Sequence, residues 1–485
     1  ARGYRPGAGQ NETPRGRRDR EAAPFRAPVR HRAPPVVAAV GGRGEASAIV
    51  PDRSHRRSQT VPVARGDRLT LDCASLADGP DGLTRIDDYV VFVPGLLAGE
   101  RATIEITSAA RKHGRGEVTA LRRRSPDRIE PRCRHFLACG GCHLQHLAYA
   151  RQLDEKRDRV ARAVRFALDD DAPPVAPTVP APEPYGQRHK VALHLANAPD
   201  GRLVGALHRA RSLDLVPITE CPASDPAAFA LAQRAVQLLA RLGHRAWDQD
   251  FARDGILRSV LVRRATTGEA HVLVVSHAAR VPGLDRVVDD LLDAGATTVG
   301  LNHNDGEPSR LLGRTTTALA GPDRIVERLG GFAYPISPTA FFQTAPAMAQ
   351  RVVDAVVGWL APTADDDVAD LYCGGGLLTV PLAARARRVL GVELSGVAVA
   401  DARCAVEANR LGNVTLRTGR VDGWLQACLR GDLPRPTLAA LDPPREGLDD
   451  AVGTALGRLA ARRLAYVSCE PRALPRDLSR RAAAG

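Results

Sequence analysis

Lysine is almost missing from this 485-residue chain. Only Lys112, Lys156 and Lys190 occur, so 65 of the 68 basic residues are Arg. Methionine is rarer still, with Met348 alone, and aromatic residues make up only 4% of the sequence. A core must therefore be built mainly from Val, Leu, Ile and Ala. No apolar run reaches the length of a membrane span and no secretory apolar stretch is visible, which argues against membrane-embedded and exported classes. Nine cysteines, thinly spread outside one cluster, do not make a disulfide-stapled scaffold. These absences predict a cytoplasmic protein of a reducing compartment that keeps off membranes, and a monomer is expected.

The net charge of +13 points first to an acidic partner such as nucleic acid. Its distribution weakens that inference, because residues 1–65 carry +9 of it and the remaining 420 residues only +4. That opening segment is rich in Arg, Pro, Gly and Ala without apolar period, and reads as a disordered basic tail. The chain begins at Ala1 and stops at Gly485 inside a charged run, and is expected to be a fragment.

From Gly66 the pattern changes. Arg68 to Asp72, Tyr89 to Val93, Ala102 to Ile106 and Gly116 to Ala120 are short β-type runs between turn residues, and predict a small β-barrel over 66–124. Residues 125–340 mix helical stretches (149–168, 227–242, 284–293) with strands (190–195, 257–262, 271–275), and predict a mixed α+β central domain. Over 341–485 five apolar runs, at 368–372, 389–393, 414–417, 438–442 and 464–468, alternate mostly with helical segments. That alternation predicts a doubly wound parallel sheet.

Three cysteines fall within ten residues, Cys133, Cys139 and Cys142, with Gly140-Gly141 between the last two. Thiolates at this density suit zinc or an iron–sulfur cluster. Cys221, followed by Pro222, is the candidate for a fourth ligand. A single Cys-x-x-Cys pair favours the [4Fe–4S] cluster over a zinc knuckle.

In the last third, Asp370-Leu-Tyr-Cys-Gly-Gly-Gly376 forms a glycine-rich turn after the first strand. Thr379 stands where a third dinucleotide glycine belongs, which disfavours a nicotinamide cofactor. Glu393 ends the second strand, where a carboxylate can accept both ribose hydroxyls of an adenosine. Asp442-Pro-Pro-Arg445 places a rigid polar turn over the same crevice. Together these look like the S-adenosylmethionine site of a class I methyltransferase. Cys469 ends the fifth strand and faces that crevice.

On these motifs the chain resembles the RNA (uracil-C5)-methyltransferase family from about residue 66 onward. Val91-Phe-Val-Pro-Gly95 and Gly99-Glu100 are similar to its TRAM domain. The cysteine run into Gln145-His146, with Cys221, is similar to its [4Fe–4S] motif. Phe341-Phe-Gln343, Asp370-Leu-Tyr-Cys-Gly, Gly391-Val-Glu393 and Asp442-Pro-Pro-Arg445 resemble its donor motifs, implying Gln343, Tyr372, Glu393 and Asp442 as S-adenosyl-L-methionine contacts. Ser468-Cys469, followed by Pro471, resembles its nucleophile motif.

The fold implied is a class I methyltransferase Rossmann-like α/β sheet, C-terminally truncated, with a TRAM β-barrel ahead of the central domain. The substrate implied is a uridine of RNA, ribosomal RNA in preference to tRNA. The mechanism implied is Cys469 attack on uracil C6, which makes C5 nucleophilic. Leu377, Arg420 and Glu470 depart from the family pattern. The general base, a Glu in a late His-x-Glu segment, has no counterpart and is expected beyond Gly485. A non-catalytic RNA-binding protein and a nicotinamide oxidoreductase with an iron–sulfur centre are the competing readings.

Overall fold

The computed structural model describes residues 61–77, 79–247, 255–306 and 310–482. The segment expected to be a basic tail lies outside the described residues as far as Thr60. Arg68–Leu76 (β1), Asp81–Ile86 (β2), Tyr89–Pro94 (β3), Arg101–Ala109 (β4) and His113–Arg123 (β5) close into a barrel in the order β1-β2-β3-β5-β4. Alternate residues Val91, Val93, Ala102, Ile104 and Ile106 fill its interior. Four strands stand where the alternating runs predict them. The fifth, β2, escapes prediction because Asp81-Gly82 reads as a turn. Gly82 is needed there for space, since a Cβ would come within 2.5 Å of the Leu96 carbonyl oxygen.

Two buried carboxylates tie the barrel to later parts of the chain. Glu100 accepts the N–H groups of Leu97 (2.9 Å) and Ser125 (3.1 Å). The Arg128 guanidinium donates to both Glu100 oxygens at 2.6 Å. Asp81, also buried, is paired with Arg211 and Arg115.

The central sheet is built from Lys190–Asn197 (β6), Leu203–His208 (β7), Leu215–Pro217 (β8), Leu257–Arg264 (β9), Ala270–Ser276 (β10), Thr298–His303 (β11) and Thr315–Ala320 (β12). Their order is β12-β11-β10-β9-β6-β7-β8, antiparallel except for the β10–β11 pair. Strand alternation sends Val191, Leu193 and Leu195 into a core shared with the helices Pro226–Ala240 and Asp285–Asp293. The opposite face of β6 carries Lys190, Ala192 and His194, all half-buried. The helix Tyr149–Leu168 forms where its spacing predicts, yet none of its residues is fully buried.

A hairpin, Ile325–Leu329 (β13) and Phe332–Ile336 (β14), and the helix Pro346–Leu360 precede the last sheet. Asp367–Leu371 (β15), Arg388–Glu393 (β16), Val414–Thr418 (β17), Leu438–Leu441 (β18) and Arg463–Tyr466 (β19) are all parallel, in the order β17-β16-β15-β18-β19. The five predicted runs are thus five strands of a doubly wound sheet. The chain reverses its direction of travel across the sheet between β15 and β18, which opens a crevice at the carboxyl ends of those strands.

Removing one partner of a buried ion pair strands the other charge. Arg128→Ala is therefore expected to cost about 3 kcal/mol in urea unfolding. Arg68→Ala, which breaks an exposed pair with Glu105, should cost at most about 1 kcal/mol.

Candidate active site

β15 runs into Tyr372, whose φ of 64° is left-handed and uncommon for a residue with a Cβ. The N–H groups of Tyr372 and Cys373 both reach the Val392 carbonyl, at 2.9 and 3.1 Å, and hold that turn. Gly374 and Gly376 follow with positive φ of 52° and 87°. The Gly374 N–H donates to Glu393 Oε2 at 3.1 Å and the Ser395 N–H to Oε1 at 2.7 Å. Glu393 is thus fixed at the end of β16, with acceptor capacity left on each oxygen. Asp442, just past β18, is half-buried and among the described residues receives no side-chain hydrogen bond. Burial pushes its carboxyl above the usual carboxylate range.

Asp370 is the acid that motif reading passes over as a mere strand end. It is 1% exposed, takes the Thr379 hydroxyl on Oδ2 at 2.5 Å, and leaves Oδ1 buried without a partner. Burial, followed by the Asp442 and Glu393 charges, pushes its carboxyl up to about 7. Three acids therefore crowd one crevice. A ligand bearing positive charge would relieve them.

Gln343 lies on the segment that leads from β14 towards the helix Pro346–Leu360. The neighbouring Phe342 packs over the glycine turn, where a Cβ on Gly375 would stand 3.9 Å from its ring. Cys469 is exposed in the turn after β19, the strand next to β18 and hence to Asp442. The Ser468 hydroxyl donates to the Glu470 carbonyl at 3.2 Å and shapes this turn. Glu470 is held by Arg472 through Nε (3.1 Å), a second guanidinium nitrogen (3.0 Å) and the backbone N–H (3.2 Å), which keeps its carboxyl low. Arg420 turns to Asp422 and Asp449, at 3.0 and 3.2 Å. Burial pushes the neighbouring Tyr372 hydroxyl up to about 12. A separate cavity of about 180 Å³, lined by Asp367, Arg388, Arg417 and Trp424, opens under the amino ends of the strands, away from this crevice.

Cys133, Cys139, Cys142 and Cys221 all line one small cavity and none is in a disulfide. Their approach requires Gly140, since a Cβ there would lie 2.8 Å from the Ala210 backbone. The Gly141 N–H donates to Cys139 Sγ at 3.3 Å and the Ser224 hydroxyl to Cys221 Sγ at 3.2 Å. Among the described residues no group of three or more His, Cys, Asp or Glu is arranged to hold a metal ion. The thiols converge without reaching ligating geometry.

The Asp370 carboxyl has a pH signature. Its folded value of about 7 lies above the unfolded carboxylate range of about 4. Between those pH values the folded chain keeps a proton that the unfolded chain has released, so stability falls as pH rises through the window. Asp370→Asn should flatten this fall, whose slope approaches about 1.4 kcal/mol per pH unit. Melting of the ligand-free protein at pH 5 and pH 8 reads it: the parent should lose more stability than the variant between the two pH values.

Comparison with known proteins agrees with this geometry. Residues 324–427 match the family described as tRNA (Uracil-5-)-methyltransferase, and residues 62–119 match the TRAM domain. An uncharacterized RNA methyltransferase of Gloeobacter violaceus is 33% identical over 427 residues, covering 87% of this chain and 92% of that protein. One from Listeria innocua is 29% identical over 423 residues, covering 86% and 92%. The fold is similar to that of the Pyrococcus abyssi tRNA (uracil-54, C5)-methyltransferase solved with S-adenosyl-L-homocysteine, with a TM-score of 0.65 at 24% identity over 84% of this chain and 92% of that one. With a crevice of class I methyltransferase form behind a closed five-stranded barrel, the chain belongs to the RNA (uracil-C5)-methyltransferase family, whose members are S-adenosylmethionine-dependent enzymes.

Proposed function

We propose that this chain methylates C5 of one specific uridine in RNA, with Cys469 as the nucleophile. The observation that carries the reading is the placing of Cys469, exposed, beside the strand whose end bears Asp442 in the acid-lined crevice. S-adenosylmethionine supplies an electrophilic methyl group when bound, and its sulfonium and ammonium charges suit a crevice that gathers Asp370, Glu393 and Asp442. Glu393 would accept the ribose hydroxyls, while Gln343, Tyr372 and Asp442 would line the rest of the donor.

The Cys469 thiolate would form a bond to uracil C6, sending the C5=C6 electron pair into an enolate that makes C5 nucleophilic. After C5 takes the methyl group, a base removes the C5 proton, and the returning electrons expel the thiolate from C6. Glu470 is a poor candidate for that base, because Arg472 already occupies its carboxylate.

The four cysteines would hold a [4Fe–4S] cluster that takes no part in methyl transfer, which needs no electron. Their shared cavity and free thiols support this reading. It divides the chain into a barrel over 66–124, a cysteine-bearing centre over 125–340 and a methyltransferase part over 341–485. The enzyme would be a cytoplasmic monomer. Ribosomal RNA is the favoured substrate because the resemblance that carries the cysteines points there. The description of the matched family favours tRNA as the second reading.

Mapping 5-methyluridine in ribosomal and transfer RNA from cells with and without the protein tests the function. One uridine should lose its methyl group in the deletion and regain it with the parent chain but not with Cys469→Ala. Unchanged maps in both RNA pools would sink the proposal. Anaerobic purification tests the cluster: the protein should be brown, and Ala at any of the four cysteines should bleach it. A colourless protein carrying one zinc would overturn that assignment.

A further inference from the structure

Lys190 is a half-buried cation that no step above employs. Across the β6–β9 ladder it stands directly opposite Arg263, so the two side chains share the face turned away from the central helices. The Arg263 guanidinium is buried and donates to the Phe342 carbonyl at 2.8 Å. One residue before Lys190, the His189 N–H donates to the Thr344 carbonyl at 2.7 Å. These two bonds grip the chain on either side of Gln343, so Lys190 stands beside the stretch that leads into the methyltransferase crevice.

Its company is unusual. Among the described residues no carboxylate pairs with Lys190. Glu327, whose charge is felt by Arg263, bonds the Thr266 and Arg328 N–H groups, both at 3.0 Å. Burial, followed by the Arg263 charge, lowers the Lys190 ammonium to about 8. Two cations facing one another, neither in an ion pair with a carboxylate among the described residues, form an anion-attracting point. The same face continues to His194, bonded to the Ser259 hydroxyl at 3.3 Å and packed 4.3 Å from His208. Four residues of strand set His194 about 13 Å from Lys190, roughly two nucleotides of extended backbone.

We propose that Lys190, braced by Arg263, is an anion seat that takes a backbone phosphate of the RNA next to the target uridine. A phosphate is a better fit than the carboxylate of the methyl donor. The 342–344 segment stands between Lys190 and the glycine turn, with Phe342 packed on the far side. The inference rests on RNA being the substrate of this cleft.

The test uses the full chain, tritiated methyl donor and total RNA from cells lacking the protein. With Lys190→Gln the KM for RNA should rise several-fold, and the slope of log KM against log salt should fall by roughly one ion, as expected for one lost phosphate contact. The KM for the donor should not move, and Lys190→Arg should restore the RNA terms. An unchanged salt slope would overturn the proposal. So would a raised donor KM with the RNA terms intact, which would give the seat to the donor carboxylate. If Lys190→Gln fails to fold on melting, Lys190→Met and Lys190→Arg supply the same comparison of stem against charge. If the parent chain gives neither methylated RNA nor a covalent RNA adduct that Cys469→Ala abolishes, the uridine reading itself is refuted, so the two failures are distinguishable.

Discussion

The cleft depends on how one short stretch, from Ile336 to Thr344, is clamped between two sheets. From the central sheet, Arg263 donates to the Phe342 carbonyl, His189 to Thr344, and the buried His271 ring pairs with the Ile336 carbonyl at 2.8 Å. From the methyltransferase side, the buried Asp401 carboxylate takes the Ser337 N–H and hydroxyl, each at 2.9 Å, and the Arg324 guanidinium at 2.9 Å. Backbone carbonyls and N–H groups in a buried loop must find partners. Here they are found in the Arg263 and His271 side chains, the His189 N–H and the Asp401 carboxylate of the helix Gly396–Ala408, so the position of Gln343 is a by-product of satisfying its neighbours.

The crevice itself is assembled against electrostatic preference. Asp370, Glu393 and Asp442 converge, and each lies where the parallel sheet delivers the end of a strand. Glu393 is compensated by two backbone N–H groups and Asp370 by the Thr379 hydroxyl. Close packing leaves this arrangement little room to relax. A Cβ on Gly391 would stand 2.6 Å from Leu416 Cδ2 and 2.9 Å from Cys373 Sγ, so a side chain at this point of β16 would push its neighbours aside. The strained Tyr372 backbone belongs to the same geometry: the chain must turn sharply to free the crevice. Charge repulsion and backbone strain are thus concentrated where a cationic ligand would offset them.

The strands of the last sheet are legible because each is a continuous apolar run, the mark of a strand buried on both faces. The motif residues are legible for a related reason, since a parallel sheet places the ends of such runs on one rim. Other features are invisible in the chain for definite reasons. β2 carries Asp81 and Gly82, and its burial comes from barrel closure, which no local pattern encodes. The partner of Asp81, Arg211, lies 130 residues away. Asp370 looks like any strand end until packing removes its solvent. The central sheet mixes half-buried and exposed strands such as β12, whose Thr-rich edge has no clear period.

Lys190 shows the same divide in a single residue. In sequence it is one of only three lysines, in an Arg-His-Lys run at the start of a predicted strand. Antiparallel register then does what composition cannot. It puts Lys190 opposite Arg263 rather than opposite an acid, and it does so on the side of β6 that the core does not claim, because Val191, Leu193 and Leu195 take the other. A one-residue slip would turn the lysine into the apolar core and the valine to the cleft. The register that packs the core therefore also sets the charge of the cleft wall, which is why that charge could be read only after the strands were paired.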